Sequence, residues 1–468
     1  MTTNRTSTTR STSSWERNRE WRGARLRALR TPRWADQPGS RPDNSALRRG
    51  LRRPGTTPLS LSMPVSDTEY QRRYVEAYLK GLLPDRTDVQ ERWAREFGVR
   101  PGDTLGLIAA IGRDTAGAAI FAPPDELDGA MRSSGDVEPV TEPEIATRLR
   151  NLRTDPAAWH DLGEHWSLAG AQGKFALVRT ADGWGYPRGS APSTHIVKPG
   201  IVQLPAQALA EHVSMRTLAL VGLEVATTAY REFEDQPAIV VERYDRRRRP
   251  DGKLVRVHQE DLVQTFGLVP QRKYEADGGP GVQQIAARLR DVTRDGSAER
   301  FVTAVVANYL VGAPDAHAKN YALLLVGRQA RLAPLYDVST GLLADGAGRL
   351  MFGSAAQSIG GEKRFGEVEE RHWRRFATAT GTDVGWVLDT VGSLAEAIPD
   401  AMSDAIAELP VSAAGRTAML REIQPRITAL ARQTLWGLHH RRHEGRVTDL
   451  WFDSLHEPAA EGERRWGE

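Results

Sequence analysis

FVTAVVANYLVGAPDAHAKNYALLLVGRQARLAPLYD, residues 301–337, decides how this chain is read. Phe301–Val311 is an apolar run long enough for a buried helix, and Gly312, Ala313 and Pro314 stop it. Asp315 follows, and Asn320 stands five residues on. Tyr321–Val326 and Leu332–Leu335 are two short apolar runs separated by Gly327 and polar residues, the pattern of a hairpin. Asp337 sits just past the second run. The isolated Asp-x-x-x-x-Asn spacing is weak, because an Asp and an Asn at such places serve equally as turn residues.

Helix, loop with Asp-x-x-x-x-Asn, hairpin and Asp is nevertheless the order of a protein-kinase catalytic centre. In that order Asp315 accepts the proton of an attacking hydroxyl. Asn320 and Asp337 then supply the hard oxygen ligands that magnesium needs. Upstream, SLAGAQGKFALV is a small-residue loop entering a strand. Ala169, Gly170, Ala171, Gln172 and Gly173 let the backbone approach phosphates closely, with Lys174 beside them. Lys198 ends the strand-like run THIVKPG; alone it reads as a solvated strand-end charge, but its place between that loop and residues 301–337 suits a phosphate-binding lysine. Glu211 opens a helical run and either pairs with Lys198 or is a solvated helix-start charge. Ala238–Arg246 is β-rich and leads into the second half of the chain, and Arg246–Arg249 reads as a solvated turn. A Walker-type GxxxxGK[ST] motif is absent.

GAPDAHAKNYALLL followed by LAPLYD resembles the signature of HipA-family serine/threonine kinases. SLAGAQGK, STHIVKP and HQEDLVQTFGLVPQRKYEADGGPG resemble further motifs of that family, as do PLSLSMP, YLKGLLPD and IGRDTAGAAIFAP nearer the start. One departure is Ser193, where the family usually shows Thr. The resemblance runs from about Pro58 to His440. It implies an α+β, two-lobed protein-kinase-like fold with a small N-terminal α+β subdomain and a helical C-terminal lobe. It implies ATP and Mg2+ as cofactors. Glu242, Arg243 and Tyr244 match the family's hinge triplet, and His317, Ala318, Lys319 and Tyr336 join the nucleotide site. Lys319 stands one residue before Asn320, whereas ordinary kinases place a catalytic-loop lysine two residues after the Asp. Gln259, Glu260 and Asp261 are expected to order the catalytic loop, and Lys273, Tyr274 and Glu275 to shape the substrate side. Ser167 sits where family members phosphorylate themselves, although a serine there also suits a plain loop hydrogen bond. The implied activity is that of a toxin that phosphorylates protein Ser/Thr, with an aminoacyl-tRNA synthetase as a protein substrate. The implied partners are a HipB-like helix-turn-helix antitoxin and, mainly through it, operator DNA. A small-molecule kinase and a non-catalytic corepressor on the same scaffold stay open, the second disfavoured by intact Asp315, Asn320, Asp337 and Lys198.

Composition bounds these readings. The 468 residues allow several domains and contain no cysteine, which excludes disulfides and cysteine-ligated zinc and fits a cytoplasmic setting. Apolar runs stay below about 18 residues, so no membrane span is expected; an N-terminal apolar leader is not visible either. The net charge of +3 hides an uneven split. Residues 1–53 hold 14 Arg against 4 acids, a net of +10, so the remainder carries −7. That head is expected to be disordered, as a nucleic-acid arm with Trp15, Trp21 and Trp34 or as a dispensable extension. It does not resemble the short strand-rich segment with which the family usually begins. The expected division is a head over 1–55, an N-terminal subdomain over 56–155, a nucleotide lobe over 156–250, a helical lobe over 251–445 and a polar tail over 446–468. Helices are expected over Thr68–Leu82, with Asp67 as cap, over Asp88–Phe97, and over Val137–Leu152, with Thr141 and Glu144 as a capping box. His439, His440 and His443 read as an exposed helix face rather than a metal cluster.

Overall fold

A computed structural model describes residues 29–30 and 56–440, apart from 67–68, 124, 133–134, 161–162, 202–203, 205, 343–351 and 411–414. Within the head, β1 (Leu29–Arg30) pairs in parallel with β2 (Phe121–Ala122). The rest of the head, the polar tail and His443 lie outside the described residues. The helix expected from Thr68 starts at Arg72 and runs to Leu82; it is preceded by Gln71, while Asp67 and Thr68 lie outside the described residues. It buries Ala77, Tyr78, Leu79 and Leu82 on one face, a spacing of three to four residues. The helix Thr87–Glu96 follows and buries Val89 and Trp93.

β3 (Asp136–Val140), β4 (Phe175–Arg179), β5 (Trp184–Arg188), β6 (His195–Lys198), β7 (Thr228–Phe233) and β8 (Gln236–Glu242) form one antiparallel sheet in the order β3-β5-β4-β6-β8-β7. The strand β3 corrects the helix expected from Val137. The helix begins only at Glu142, where Thr141 and Glu144 do make the capping box. An edge strand tolerates Pro139 and four exposed residues, which is why the segment carries no strand signature. The shared core also moves a boundary. Leu59, Tyr78, Leu82, Trp93 and Ile108 pack in one cluster with Phe175, Leu177, Val197 and Val240. Residues 56–155 and the nucleotide lobe are therefore built on one core.

The second lobe begins with the hairpin β9 (Arg246–Arg248) and β10 (Leu254–Arg256). The expected solvated turn is a strand over Arg246–Arg248; Arg247–Arg249 are exposed as expected, but Arg246 is buried. β11 (His258–Asp261), β12 (Ala322–Val326) and β13 (Gln329–Leu332) make a small sheet with Asp261 opposite Ala322. The predicted helix spans Ser297–Leu310, and Gly312 and Gly327 take the left-handed conformations that end helix and hairpin. Helices Val282–Val292, Glu370–Thr380, Val384–Ala407 and Gln424–His439 pack around Ser297–Leu310 through a second core containing Phe301, Val305, Leu310, Trp373 and Ile427. β14 (Ser354–Ile359) and β15 (Glu362–Arg364) form a further hairpin.

A buried ionic joint ties these parts together. Asp114 accepts from Arg246 at 2.8 Å, from Arg256 at 2.9 Å and from the Ser193 hydroxyl at 2.7 Å. Arg243 spans Asp114 and Asp245. Burial alone would raise the Asp114 pKa, but Arg246, Arg256 and Arg243 outweigh it and hold the carboxyl well below the usual range.

Candidate active site

The lobes meet at a cleft lined by Lys174, Lys198, Glu211, Lys273, Asp315, Asn320 and Asp337. Lys198, at the end of β6, reaches Glu211 Oε1 at 2.8 Å from the helix Gln207–Leu220, and it also bonds Asp337. The Lys198–Glu211 pair weighed from the sequence is thus present. Burial would lower the Lys198 pKa, yet Asp337 and Glu211 raise it above the ordinary lysine value. Asp337 is held well down, chiefly because Lys198 and Lys174 overcome its burial, whereas burial pushes Glu211 up. Asp337 also has φ 58°, a left-handed conformation that costs a non-glycine residue free energy and marks a site where geometry is imposed.

The loop after the helix Ser297–Leu310 is closed on itself. Asn320 Nδ2 donates to Asp315 O at 2.7 Å, His317 N to Asp315 O at 2.8 Å and Asn320 N to His317 O at 2.9 Å. Using its amide nitrogen in this way leaves the Asn320 side-chain oxygen on the other side. Asp315 Oδ1 accepts from the Tyr274 hydroxyl at 2.5 Å and lies 3.7 Å from His317 Nε2. Burial raises the Asp315 pKa to about 7 and lowers that of His317 to about 3, so His317 is neutral near pH 7. Ala318–Asn320 forms one 3-10 turn whose Ala318 N–H donates to Lys273 O at 3.2 Å. Lys319 lines the cleft but is tied to its wall: its ammonium donates to Gly81 O at 3.0 Å and Asp261 Oδ2 at 3.1 Å. Tyr336 donates to Lys319 O at 2.7 Å, and its ring lies 5.7 Å from that of Tyr244.

The small-residue loop lies across the cleft from Asp315. Gly170 has φ 105°, and a Cβ there would stand 2.6 Å from Lys174 Nζ, so only glycine fits. Lys174 donates to Ala169 O at 2.8 Å, and burial lowers its pKa to about 8. Gln172 donates to the Gln207 side chain at 3.0 Å, and Gly173 packs near Leu152 and Trp159. Ser167 is fully buried, and its hydroxyl donates to Leu82 O at 2.7 Å. Ala171 lines the cleft with its neighbours.

The hinge triplet Glu242, Arg243 and Tyr244 lines the cleft. Glu242 N–H donates to Thr227 O and Arg243 N–H to Thr194 O, so those two amides are used inside the fold. The Arg243 guanidinium points into the Asp114 joint, not into the cleft. Tyr244 does lie along the cleft, its hydroxyl 2.5 Å from Gln259 Oε1. Sequence reading missed Asp85 altogether. Its N–H donates to Gly170 O at 2.9 Å, and its Oδ2 accepts from Lys273 at 2.9 Å. The family motif YLKGLLPD, which ends on Asp85, was the available signal.

The two lobes, the hinge and the cleft between them define a kinase scaffold. Residues 166–406 match the HipA-like C-terminal domain and residues 47–122 the HipA N-terminal domain, and the chain belongs to the HipA family. It is 33% identical over 357 residues to a putative kinase, Y4mE, of Sinorhizobium fredii, covering 75% of this chain and 84% of that one. It is 27% identical over 369 residues to the serine/threonine-protein kinase toxin HipA of Shewanella oneidensis, covering 75% of this chain and 82% of the toxin. The structure of the Shewanella oneidensis HipA, HipB and operator DNA complex superposes with a TM-score of 0.70 at 25% identity, covering 81% of this chain and 90% of that one. Among the described residues no helix is long and apolar enough to cross a membrane.

Proposed function

We propose that the chain is a Mg-ATP-dependent serine/threonine protein kinase and the toxin of a type II toxin–antitoxin pair. The observation that carries this is the meeting of Lys198, Glu211, Asp315, Asn320 and Asp337 in one cleft. The donor set suits the nucleotide and its metal. Asp337 stays ionised, Asn320 offers an amide oxygen, and Gly170 lets backbone come close where a side chain would not fit. Asn320 and Asp337 would hold a magnesium ion, which would supply positive charge against the phosphate oxygens. Lys198, steadied by Glu211, and the Ala169–Lys174 loop hold the phosphates. Asp315, steered by Tyr274, orients the acceptor hydroxyl and takes its proton. The Shewanella relative was solved with HipB and operator DNA; the corresponding partners here are a HipB-like helix-turn-helix antitoxin and DNA reached mainly through it. The protein substrate in this reading is a translation component such as an aminoacyl-tRNA synthetase, met in the cytoplasm.

Two substitutions test the assignment. Asp315→Ala is expected to abolish phosphoryl transfer while ATP affinity stays within a few-fold of wild type, because the residue acts on the hydroxyl. Asp337→Ala is expected to weaken Mg-ATP binding itself. Calorimetric ATP affinity and transfer of labelled phosphate to protein are measured for both. Equal transfer by Asp315→Ala and wild type ends the kinase reading.

A further inference from the structure

A kinase cleft needs a cation beside the phosphoryl group in flight, where charge is spread over its non-bridging oxygens. Lys319, the lysine of the catalytic loop, does not stand there: both of its bonds tie the loop to Gly81 and Asp261. Lys174 and Lys198 belong to the nucleotide side, one bonded to Ala169 O and the other to Glu211 and Asp337. Lys273 is the lysine on the acceptor side. Its Nζ lies 5.6 Å from the centroid of the Tyr274 ring, and the hydroxyl of that ring bonds Asp315. Its carbonyl accepts from Ala318 N–H, so its backbone is fastened to the catalytic loop. The side chain is 18% exposed and lines the cleft with Asp315, His317 and Asn320. Among the described residues Asp85 is the one hydrogen-bond partner of its ammonium, which leaves N–H donors for a ligand.

Asp85 comes from the N-terminal subdomain, and its segment is built to place it. Gly81 O accepts from Lys319, Leu82 O from Ser167, and Asp85 N–H donates to Gly170 O. One short stretch thus touches the catalytic loop, the phosphate loop and Lys273. The Asp85 Oδ1 atom is buried without a hydrogen-bond partner among the described residues.

We propose that Lys273, held by Asp85 of the N-terminal subdomain, is a catalytic residue that hydrogen-bonds the transferring phosphoryl group, with Asp85 as its positioning residue. This rests on the kinase reading of the cleft. The acceptor hydroxyl gives its proton to Asp315 and its oxygen bonds the γ-phosphorus. The bond from that phosphorus to the bridging oxygen breaks, and its electron pair leaves on ADP. Lys273 donates a hydrogen bond to a non-bridging oxygen throughout and exchanges no proton.

The experiment compares full-length wild type with Lys273→Met, Lys273→Arg and Asp85→Asn, using ATP labelled in its γ-phosphate and myelin basic protein as acceptor. ATP affinity and melting temperature are measured alongside. Lys273→Met is expected to lower kcat by about 10²–10³-fold, as loss of a transition-state donor does, with KM for ATP changed less than about fivefold. Lys273→Arg restores at least about a tenth of wild-type kcat, and Asp85→Asn lowers kcat in the same direction by a smaller factor, since it leaves the cation in place but unheld. A merely structural lysine would lower ATP affinity and melting temperature along with kcat, and the arginine would not restore it; that pattern overturns the proposal. So does a Lys273→Met kcat within about threefold of wild type. Wild type that binds ATP but transfers nothing brings down the kinase reading, and the proposal with it; active wild type beside an equally active Lys273→Met brings down the proposal alone.

Discussion

In the proposed mechanism Asp315 has to be ionised to take a proton, yet it sits where ionisation is disfavoured. Burial raises its pKa to about 7, with Asp337 and Asp85 pushing the same way and Lys273 and the Tyr274 hydrogen bond pulling it down. The profile of kcat/KM against pH, which reports groups of the free enzyme, is therefore expected to fall as pH drops through about 7. An ordinary aspartate would hold activity to about pH 4. Tyr274→Phe removes a donor to the carboxylate and moves that limb upward. A limb near pH 4 in wild type would mean that solvent reaches Asp315. The sign for stability is opposite: a carboxyl whose folded pKa is raised binds its proton more tightly when folded, so its contribution is full below the unfolded pKa and is lost as pH rises through about 7. Asp315, Asn320, Asp337 and Lys198 were legible because kinase chemistry fixes their types and their order along the chain. Asp85 was not, since its partners lie far away in sequence at Gly170 and Lys273. Arg243 was legible as a motif residue, but nothing local announced Asp114 as its partner.

The small-residue loop is held shut by its neighbours. The Ser167 hydroxyl donates a hydrogen bond to Leu82 O from a fully buried position, and Gly170 O accepts one from Asp85 N–H. A phosphate on Ser167 would bring about −1.5 to −2 charges and only acceptors to a place where Leu82 offers another acceptor. The phosphorylated loop must then leave the cleft and take Ala169–Gly173 away from the nucleotide. Wild-type protein is expected to separate by mass into unmodified and singly phosphorylated species, of which only the first binds ATP. Ser167→Ala removes the second species. A fully occupied phospho-Ser167 form with normal ATP affinity would refute this switch. Elements were read well where periodicity was strong, as in the helix Ser297–Leu310 and the strand β12, whereas the hairpin's second strand runs over Gln329–Leu332 and not Leu332–Leu335. They were misread where an element lies at an edge. β3 exposes four of its five residues and contains a proline, so its pairing with β5 comes from tertiary contact and not from local preference.

At the scale of the molecule, Asp114 is the point where the N-terminal subdomain, the approach to β6, the hinge and β10 are joined. Removing one partner of a buried ion network leaves the other charges unpaired, at a cost of about 3–5 kcal/mol. Asp114→Ala is accordingly expected to lose about that much in urea unfolding, with Arg243 and Arg246 left to Asp245 and Arg256 without an ionic partner. A loss under about 1 kcal/mol would show that Asp245 and the backbone acceptors satisfy the three guanidiniums without Asp114. The two-lobed plan was legible from the succession of motifs. The merging of the N-terminal subdomain into the nucleotide lobe was not, because a shared core leaves no mark on the order of elements.

That merging sets a timetable for the growing chain. Leu59, Tyr78, Trp93 and Ile108 are made early, but the face they pack against is completed only with Val240. At a synthesis rate of about 5–20 residues per second, the N-terminal segment waits roughly 7–26 s with its apolar side uncovered. During that interval the ribosome displays an uncovered apolar surface, the kind that must be kept from aggregating while the chain is completed.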